Sequence, residues 1–261
     1  MNNLAFLDLI DSIHKTRMWI ILAWNEIRVR YIRSTLGPFW ITLSTLLMVG
    51  LMGPLYGTIF GFSTSEYLIY LSVSFVFWNF ISVSINESSM IFVSLDSFIK
   101  QIKLPYFFYI FKLLFKNFII LLHNIIIILL AFYFSPDHEL YQIFLLLIGI
   151  IILYLNLVWI CLFFAIVGAR FRDINQIVVN IVQISFFMSP IMWKIEMLPP
   201  ARAFLAYYNP FFNLIEIVRR PILSLEVVTF NYLYSLLLLF AGSLFTFKLF
   251  SKYRNRIIYW I

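Results

Sequence analysis

The chain reads Arg28-Val29-Arg30-Tyr31-Ile32-Arg33-Ser34-Thr35-Leu36-Gly37-Pro38-Phe39-Trp40 at the point that decides its fold. From Leu36 onward no charged residue occurs until Glu66. A basic cluster directly before a long uncharged run is typical of a membrane entry point, because the arginines stay in the cytoplasm while the apolar run crosses. This stretch therefore predicts the first membrane-spanning helix and its orientation.

Composition extends this interpretation to the whole chain, since 63% of the 261 residues are apolar and 12% are charged. That balance is far from the one found in soluble globular proteins. A membrane-spanning helix needs about 20 apolar residues, because each backbone amide has to be paired within its own segment. Six segments meet this requirement, which predicts an all-α integral membrane protein. They are residues 36–60, 67–95, 104–134, 140–168, 174–193 and 229–247.

The distribution of charge predicts that both termini lie in the cytoplasm. Six crossings divide the loops between two sides, and an excess of lysine and arginine marks the cytoplasmic one. The 19 basic residues all fall on the side of the N-terminus except Lys194, Arg202, Arg219 and Arg220. Topology therefore accounts for the formal net charge of +7. Binding to nucleic acid would need a basic face on a soluble domain, and the sequence contains no such domain.

Residues 1–35 are expected to form a cytoplasmic amphipathic helix on the membrane surface, ahead of a six-span domain over residues 36–261. Apolar residues such as Leu4, Leu7 and Ile10 alternate there with Asp8 and other charged residues in a helical pattern. Taken alone, the pattern also fits a simple electrostatic anchor on anionic lipid.

The second predicted span is unusually polar for a membrane helix, with several serines, two asparagines and Glu87. It either lines a wet path or hydrogen-bonds across a helix interface, and Glu87 is either a transport group or a carboxylate paired with lysine or water. Lipid-facing and interfacial belts account for many of the aromatic residues. Aromatic rings beside hydroxyls would nevertheless suit a long sugar chain. The candidate lining residues are Tyr67, Tyr70, Phe77, Trp78 and Asn79.

Residues 194–228 form a long outer segment between the fifth and sixth predicted spans. Prolines divide this mostly apolar segment at Pro199, Pro200, Pro210 and Pro221, and they mark the starts and ends of two short helices. Each helix is too short to cross the membrane, so a re-entrant or interface-lying pair is expected.

The chain lacks the usual motif for binding a nucleotide, since no Gly-x-x-x-x-Gly-Lys-Ser/Thr loop occurs. His14, His123 and His138 fall in different predicted compartments, which argues against an enzyme site of clustered acids and histidines. Cys161 is the only cysteine and lies within the fourth span, so a thiolate metal site is excluded. No cofactor or metal is therefore expected in this chain.

Three motifs resemble the permease subunits of bacterial polysaccharide ABC exporters, which are type-2 ABC permeases. One is the stretch from Arg28 to Trp40 quoted above. The others are Ser189-Pro190-Ile191-Met192-Trp193 and Tyr208-Asn209-Pro210-Phe211-Phe212. The resemblance covers essentially the whole chain. Members of this group export O antigen, capsule or teichoic acid on a lipid carrier. The sequence of the first motif most resembles the O-antigen branch.

The resemblance implies a transport subunit of the bacterial inner membrane and not an enzyme. Such a subunit works as a homodimer with two copies of a separate ABC ATPase, which binds the ATP and magnesium. Its cargo would be a polysaccharide linked to undecaprenyl pyrophosphate, drawn from the surrounding membrane lipid.

The resemblance also implies roles for particular residues. Loop 95–104 would couple to the ATPase, residues 194–228 would hold an outer gate, and the first basic cluster would attract the pyrophosphate head group. The residues that would couple to the ATPase are Asp96, Phe98, Ile99, Lys100, Ile102 and Lys103. The residues that would form the gate are Tyr207, Tyr208, Phe211 and Phe212. The residues that would bind the head group are Arg28, Arg30, Arg33 and Trp40. The N-terminal helix and residues 170–173 would complete the ATPase contact.

Three other interpretations stay open from sequence alone. A small-molecule or lipid efflux permease would share the six spans and the coupling loop but would need no aromatic tunnel. A membrane enzyme acting on lipid-linked sugars would use the aromatics and the basic inner face, although no acid or histidine cluster supports it. A structural membrane scaffold would show no stimulated ATP hydrolysis.

Overall fold

The computed structural model describes residues 2–31, 39–133 and 142–261, and the chain within these ranges is helical and contains no β-strand. The prediction of an all-α protein is confirmed for these residues. The helices are α1 (Asn2–His14), α2 (Thr16–Tyr31), α3 (Phe39–Phe60), α4 (Thr64–Ser88), α5 (Ile91–Ser94), α6 (Asp96–Gln101), α7 (Tyr106–Tyr133), α8 (Ile143–Arg170), α9 (Ile174–Met188), α10 (Phe204–Tyr207), α11 (Pro210–Ile222) and α12 (Thr229–Trp260).

Five of the described helices are long and apolar enough to cross a membrane, namely α3, α4, α7, α8 and α12. The apolar helix α9 has 15 residues, which makes it about 22 Å long, whereas the hydrocarbon core is about 30 Å thick. Five of the six predicted spans thus correspond to helices able to cross by length and composition. A crossing by the fifth span stays a prediction and depends on the residues that follow α9.

Several helix ends differ from the sequence prediction. α9 stops at Met188 because Ser189 is extended (φ −93°, ψ 142°), as the ring of the following Pro190 requires. The second span is predicted to run to residue 95, but α4 ends at Ser88 and the short helices α5 and α6 turn the chain there. The last helix instead continues past residue 247 to Trp260.

α4 lies at the centre of the bundle, where it packs against α3, α7, α8, α9 and α11. Its serine hydroxyls mostly donate to carbonyl oxygens of the preceding turn, as Ser72 does to Leu68 (2.6 Å) and Ser74 to Tyr70 (2.7 Å). These bonds satisfy polar groups that could not meet water inside the bilayer. The polarity of this span is therefore used mainly inside the protein, as the hydrogen-bonding alternative predicts.

Two glycines allow helix backbones to approach each other closely. A Cβ atom added to Gly149 in α8 would lie 2.2 Å from the carbonyl oxygen of Ile217 in α11. A Cβ atom added to Gly168, near the end of α8, would lie 1.8 Å from the carbonyl oxygen of Ser89 after α4. A neighbouring backbone cannot move aside as a flexible side chain can, so α8 holds its position against α11 and α4 only with glycine at these sites.

The N-terminal element consists of two helices that are broken at Lys15, and not of one continuous helix; residues 32–35 of the predicted element lie outside the described residues. Asp8 fixes α1 to the bundle. Its buried carboxylate accepts a hydrogen bond from the N–H of Phe107 in the first turn of α7 (3.1 Å) and one from Arg254 Nε in α12 (2.9 Å). α1 is therefore part of the folded bundle and more than an electrostatic anchor.

Replacing Gly149 by alanine should lower the free energy of unfolding by about 1–3 kcal/mol, because the new methyl group would force α8 away from α11. Gly50→Ala is the matched control, since a Cβ atom there would meet no atom within 4 Å and alanine favours the helix by about 1 kcal/mol. Unfolding of both purified variants in mixed micelles, followed by circular dichroism, provides the measurement. Equal effects of the two substitutions would contradict the close approach.

Candidate translocation and coupling sites

The basic entry cluster lies only partly within the described residues. Arg28 is exposed on α2, and Trp40 is exposed in the first turn of α3. The side chain of Arg30 and the whole of Arg33 lie outside the described residues. The guanidinium of the exposed Arg28 is a planar fork of donors, which suits an anionic partner.

Close to Arg28, four charged side chains from three helices form an ionic cluster, named the inner ionic cluster here because the sequence predicts that this end faces the cytoplasm. Glu26 of α2 accepts from both lysines of α7, with distances of 2.8 Å to Lys112 Nζ and 2.9 Å to Lys116 Nζ. Lys116 also lies 2.8 Å from Glu87 of α4, and Asn117 Nδ2 donates to Glu87 at 3.2 Å. The lysine-paired alternative for Glu87 is thus confirmed. The cluster ties the surface helix α2 to two helices of the core.

The aromatic lining residues predicted on α4 are buried within the chain itself. Tyr67, Phe77 and Trp78 are at most 5% exposed. The Tyr67 hydroxyl donates to the carbonyl of Met192, and the Tyr70 hydroxyl lies 2.9 Å from the carbonyl oxygens of Pro190 and Trp193. These rings therefore pack and hold the segment after α9 in this conformation.

Asn79 differs from the other predicted lining residues because it borders open space. It lies on the wall of a cavity of about 470 Å³ between α3, α4 and α7. Its Nδ2 lies 3.5 Å from Thr45 Oγ1 in α3.

An outer ionic cluster, formed by Glu216, Arg219 and Arg220 of α11, was not predicted as a site from the sequence. Arg219 is 3% exposed and pairs with Glu216, which is also 3% exposed. Arg219 Nη1 donates to Ser74 Oγ in α4 (2.9 Å) and to the carbonyl of Pro190 (2.6 Å). A charge-assisted network therefore joins α11, α4 and the segment after α9.

The sequence contains one signal for this cluster. Glu216, Arg219 and Arg220 stand at i, i+3 and i+4 within an otherwise apolar run, which places the three on one helix face. The distribution of charge between the two sides of the membrane predicts only that Arg219 and Arg220 lie on the outer side. Their burial depends on α11 packing against α4, α8 and α12, which is a tertiary contact that local spacing does not reveal.

The predicted gate residues divide between the surface and the core. Tyr207 and Tyr208 in and after α10 are 43% and 66% exposed, whereas Phe212 of α11 is 2% exposed. The Phe211 ring contacts the Trp78 ring, with 5.6 Å between their centroids. The two short helices predicted for the outer segment are present as α10 and α11, and α11 packs within the bundle.

The predicted coupling loop, residues 95–104, forms α6 and an extended turn before α7, and α5 directly precedes it. Ile99 is buried and the Phe98 ring packs edge-on against Tyr109, with 6.3 Å between centroids. Asp96 and Lys100 form an exposed pair at 3.8 Å. Beyond them Ile102 is 42% exposed and Lys103 is also exposed. The loop thus has an anchored apolar side and an outward side that is basic and apolar.

α9 presents a stripe of amide side chains on its exposed face. Gln176, Asn180 and Gln183 are all exposed and follow one another at helical spacing. Amides are unfavourable against lipid, so in a membrane such a stripe faces water or another protein surface. No group of three or more His, Cys, Asp or Glu side chains among the described residues could hold a metal ion.

Comparison with known families agrees with this arrangement. The family described as "ABC-2 type transporter" matches residues 17–223 of the chain. The match begins within α2 and ends just after α11, so it includes both ionic clusters and the coupling loop. The chain belongs to the ABC-2 type transporter family. It is therefore the membrane permease of a transporter and an integral membrane protein.

Among the relatives of this ABC-2 permease are two proteins from Klebsiella pneumoniae, both named O-antigen export system permease protein RfbA. Each is 22% identical to the chain, over 244 and 254 residues. The alignments cover 91% and 90% of this chain and 92% of each relative. The similarity is distant but extends over nearly the whole permease.

Replacing Glu216 by glutamine should destabilise the permease by about 3–5 kcal/mol, because Arg219 would stay buried without its counter-charge. The double variant Glu216→Leu/Arg219→Met removes both buried charges and should recover most of that loss. Unfolding free energies of the wild type, Glu216→Leu, Arg219→Met and the double variant form a double-mutant cycle. Additive single effects would mean that the buried pair does not act as a unit.

Glu26 gives the permease a pH-dependent contribution to stability. Burial alone would raise its pKa, but hydrogen bonds and charges from Lys112 and Lys116 outweigh burial and lower the pKa from 4.5 to about 2. A carboxylate with a depressed folded-state pKa stabilises the fold above its unfolded pKa, and the contribution disappears as pH falls from about 4.5 to 2. Glu26→Gln should therefore remove part of the acid-induced fall in thermal midpoint.

Asp96→Asn is the control for Glu26→Gln, because the exposed pair of Asp96 with Lys100 contributes little. Thermal midpoints of the wild type and the two variants, measured in detergent from neutral pH down to pH 2, separate the effects. Parallel curves of thermal midpoint against pH for the wild type and Glu26→Gln would show that the inner cluster does not lower the pKa of Glu26.

Proposed function

We propose that the chain is the permease subunit of an ATP-driven exporter that moves lipid-linked polysaccharide across the bacterial inner membrane, with O antigen as the cargo. The observation that carries this proposal is the pair of O-antigen export permeases that align over 91% and 90% of the chain. The three sequence motifs at the entry, after α9 and before α11 favour the same group. Capsule or teichoic acid would be carried by the same architecture.

The exposed faces of α3 and α9 support a homodimer. Only 22% of the apolar stretch that makes α3 a candidate span is buried within a single copy of the chain. The stripe of Gln176, Asn180 and Gln183 is exposed on α9. A second copy of the chain would cover such surfaces and enclose a path between them. Asn79 would face this path, while Tyr67, Tyr70, Phe77 and Trp78 would brace the helix that forms its wall.

A separate ABC ATPase would supply the power, since this chain has no phosphate-binding loop. Two copies would dock on the outward side of the coupling loop, where Lys100, Ile102 and Lys103 are exposed, and would bind ATP and magnesium themselves. Both termini would lie in the cytoplasm, on the side of the basic residues. The inner ionic cluster would pass movement of α2 directly to α4 and α7.

The cargo would enter at the inner surface and leave past the outer segment. Arg28, with Arg30 and Arg33 beside it in the sequence, would attract the pyrophosphate of the undecaprenyl carrier, and Trp40 would lie at the membrane interface. Tyr207 and Tyr208 would close the exit from the exposed side, and Phe211 and Phe212 would anchor that closure in the core.

Deleting the gene from its strain should leave glycan inside the cell and remove it from the surface, and the wild-type gene should restore it. Ile102→Asp should fail to restore export, because a buried charge would block docking of the ATPase. Leu225→Asp, which changes a residue of similar exposure (45% against 42%) on the outer side, should restore it. Surface glycan is quantified by immunoblot, and the ATPase by co-purification with the tagged permease.

Normal surface glycan in the deletion strain, together with accumulation of small apolar compounds, would contradict the proposal and support an efflux permease. If the ATPase co-purified with Ile102→Asp at the wild-type level, only the role of the coupling loop would be contradicted, and the proposed export function would stand.

A further inference from the structure

The last helix is longer than a membrane crossing requires. α12 has 32 residues, which makes it about 48 Å long, whereas the hydrocarbon core is about 30 Å thick. All of its charged residues lie between Lys248 and Arg256, near the end that the sequence predicts to be cytoplasmic. Residues 248–261, named the α12 tail here, therefore extend beyond the hydrocarbon core.

The α12 tail is folded onto the rest of the bundle. Phe250 is fully buried, and its ring packs edge-on against Phe107 in the first turn of α7, with 5.3 Å between centroids. Ile257 is also fully buried. Arg254 pairs with the buried Asp8 of α1 at 2.9 Å. These contacts hold the tail in place against α1 and α7.

The tail also contacts α6, the helix of the predicted coupling loop. Lys100 Nζ in α6 donates to the main-chain oxygen of Ile261 (2.7 Å), and the two helices pack together. α6 has only six residues, which is less than two turns, and so short a helix is not stable without contacts to other elements. The α12 tail supplies part of that support.

A further contact of the tail is with residues 170–173, the other loop that the family resemblance predicts to meet the ATPase. The Arg170 guanidinium lies 5.1 Å from the ring centroid of Phe171 and 5.4 Å from that of Trp260. Trp260 lies about two turns after Tyr253 on the same face of α12, and their ring centroids are 5.4 Å apart. An aromatic face attracts a cation, so Trp260 restrains an exposed arginine that would otherwise sample many rotamers.

Both loops that are predicted to meet the ATPase are thus attached to the same short stretch of chain. The coupling loop is attached through Lys100 to Ile261, and the second loop through Arg170 to the neighbouring Trp260. Adjacent attachment points restrict the distance between the two loops. A partner that contacts two surfaces at once binds more tightly when their positions are set beforehand, because less freedom is lost on binding.

We propose that the α12 tail sets the spacing of these two loops for the ATPase, and that Trp260 is the positioning residue that orders Arg170. The proposal rests on the proposed function, because it takes both loops to be ATPase contacts. Arg170 would offer a positioned positive charge to an acidic group of the ATPase. Trp260 would act through Arg170 and not by touching the ATPase.

Trp260→Ala tests the positioning role. Without the ring, the Arg170 side chain has to be ordered when the ATPase binds, so the dissociation constant of the complex should rise about fivefold. Trp260→Phe keeps an aromatic ring near Arg170 and should restore most of the affinity. The ATPase is purified through the tagged wild-type permease, and its binding to each full-length variant in lipid nanodiscs is measured by biolayer interferometry.

Tyr259→Ala is the matched control, because Tyr259 is the neighbouring aromatic residue of the tail but is 84% exposed. This variant should bind the ATPase as tightly as the wild type. Arg170→Ala completes a double-mutant cycle, in which Trp260→Ala should weaken binding little further once the arginine is absent. A merely structural role of Trp260 would instead weaken binding by the same factor with and without Arg170.

The outcomes separate this inference from the proposed function. If the ATPase binds Trp260→Ala as tightly as the wild type, binds Trp260→Phe as weakly as Trp260→Ala, or shows additive effects in the cycle, the inference is wrong and the proposed function stands. Equal weakening by Tyr259→Ala would mean that the tail meets the ATPase directly, which also contradicts the inference. If no ATPase co-purifies with the wild-type permease, the proposed function fails and the inference fails with it.

Discussion

The carbonyl groups of the segment after α9 impose the constraint on which the outer half of the permease depends. Pro190 ends the helix, so the carbonyls of residues 190, 192 and 193 have no helical partner. At membrane depth a free carbonyl is unfavourable unless the protein satisfies it. Tyr67, Tyr70 and Arg219 supply the donors. An irregular segment is thereby made stable next to a helix that is too short to cross by itself.

Arg219 can serve as such a donor only because Glu216 neutralises it. A buried guanidinium without a counter-charge would be strongly destabilising, and α11 supplies that charge one turn earlier, at 2.8 Å from Arg219 Nε. Gly149 then allows α11 to lie against α8 at backbone distance. The broken end of α9, the buried ion pair and the close helix contact are consequently parts of one arrangement.

Sequence reasoning could predict the features that depend on composition and local pattern. The charge-free run after Arg33 and the proline breaks in the outer segment are of this kind, whereas the pairing of Glu87 with lysine is one of the alternatives that the sequence leaves open. It could not predict that Tyr67 and Tyr70 are buried, because an aromatic residue on a polar helix looks the same whether it faces a path or a neighbour. The burial of Arg219 depends likewise on contacts between residues more than a hundred positions apart.

α4 is the element through which events at the two membrane surfaces can be linked. Near its inner end Glu87 joins Lys116 and, through that lysine, Glu26 on the surface helix α2. Toward its outer end Ser74 and Tyr70 contact Arg219. A helix transmits displacement along its axis as a nearly rigid body, and both ends are held by charge-assisted contacts that tolerate little separation. A contiguous set of contacts therefore connects α2, through α4, to the outer cluster.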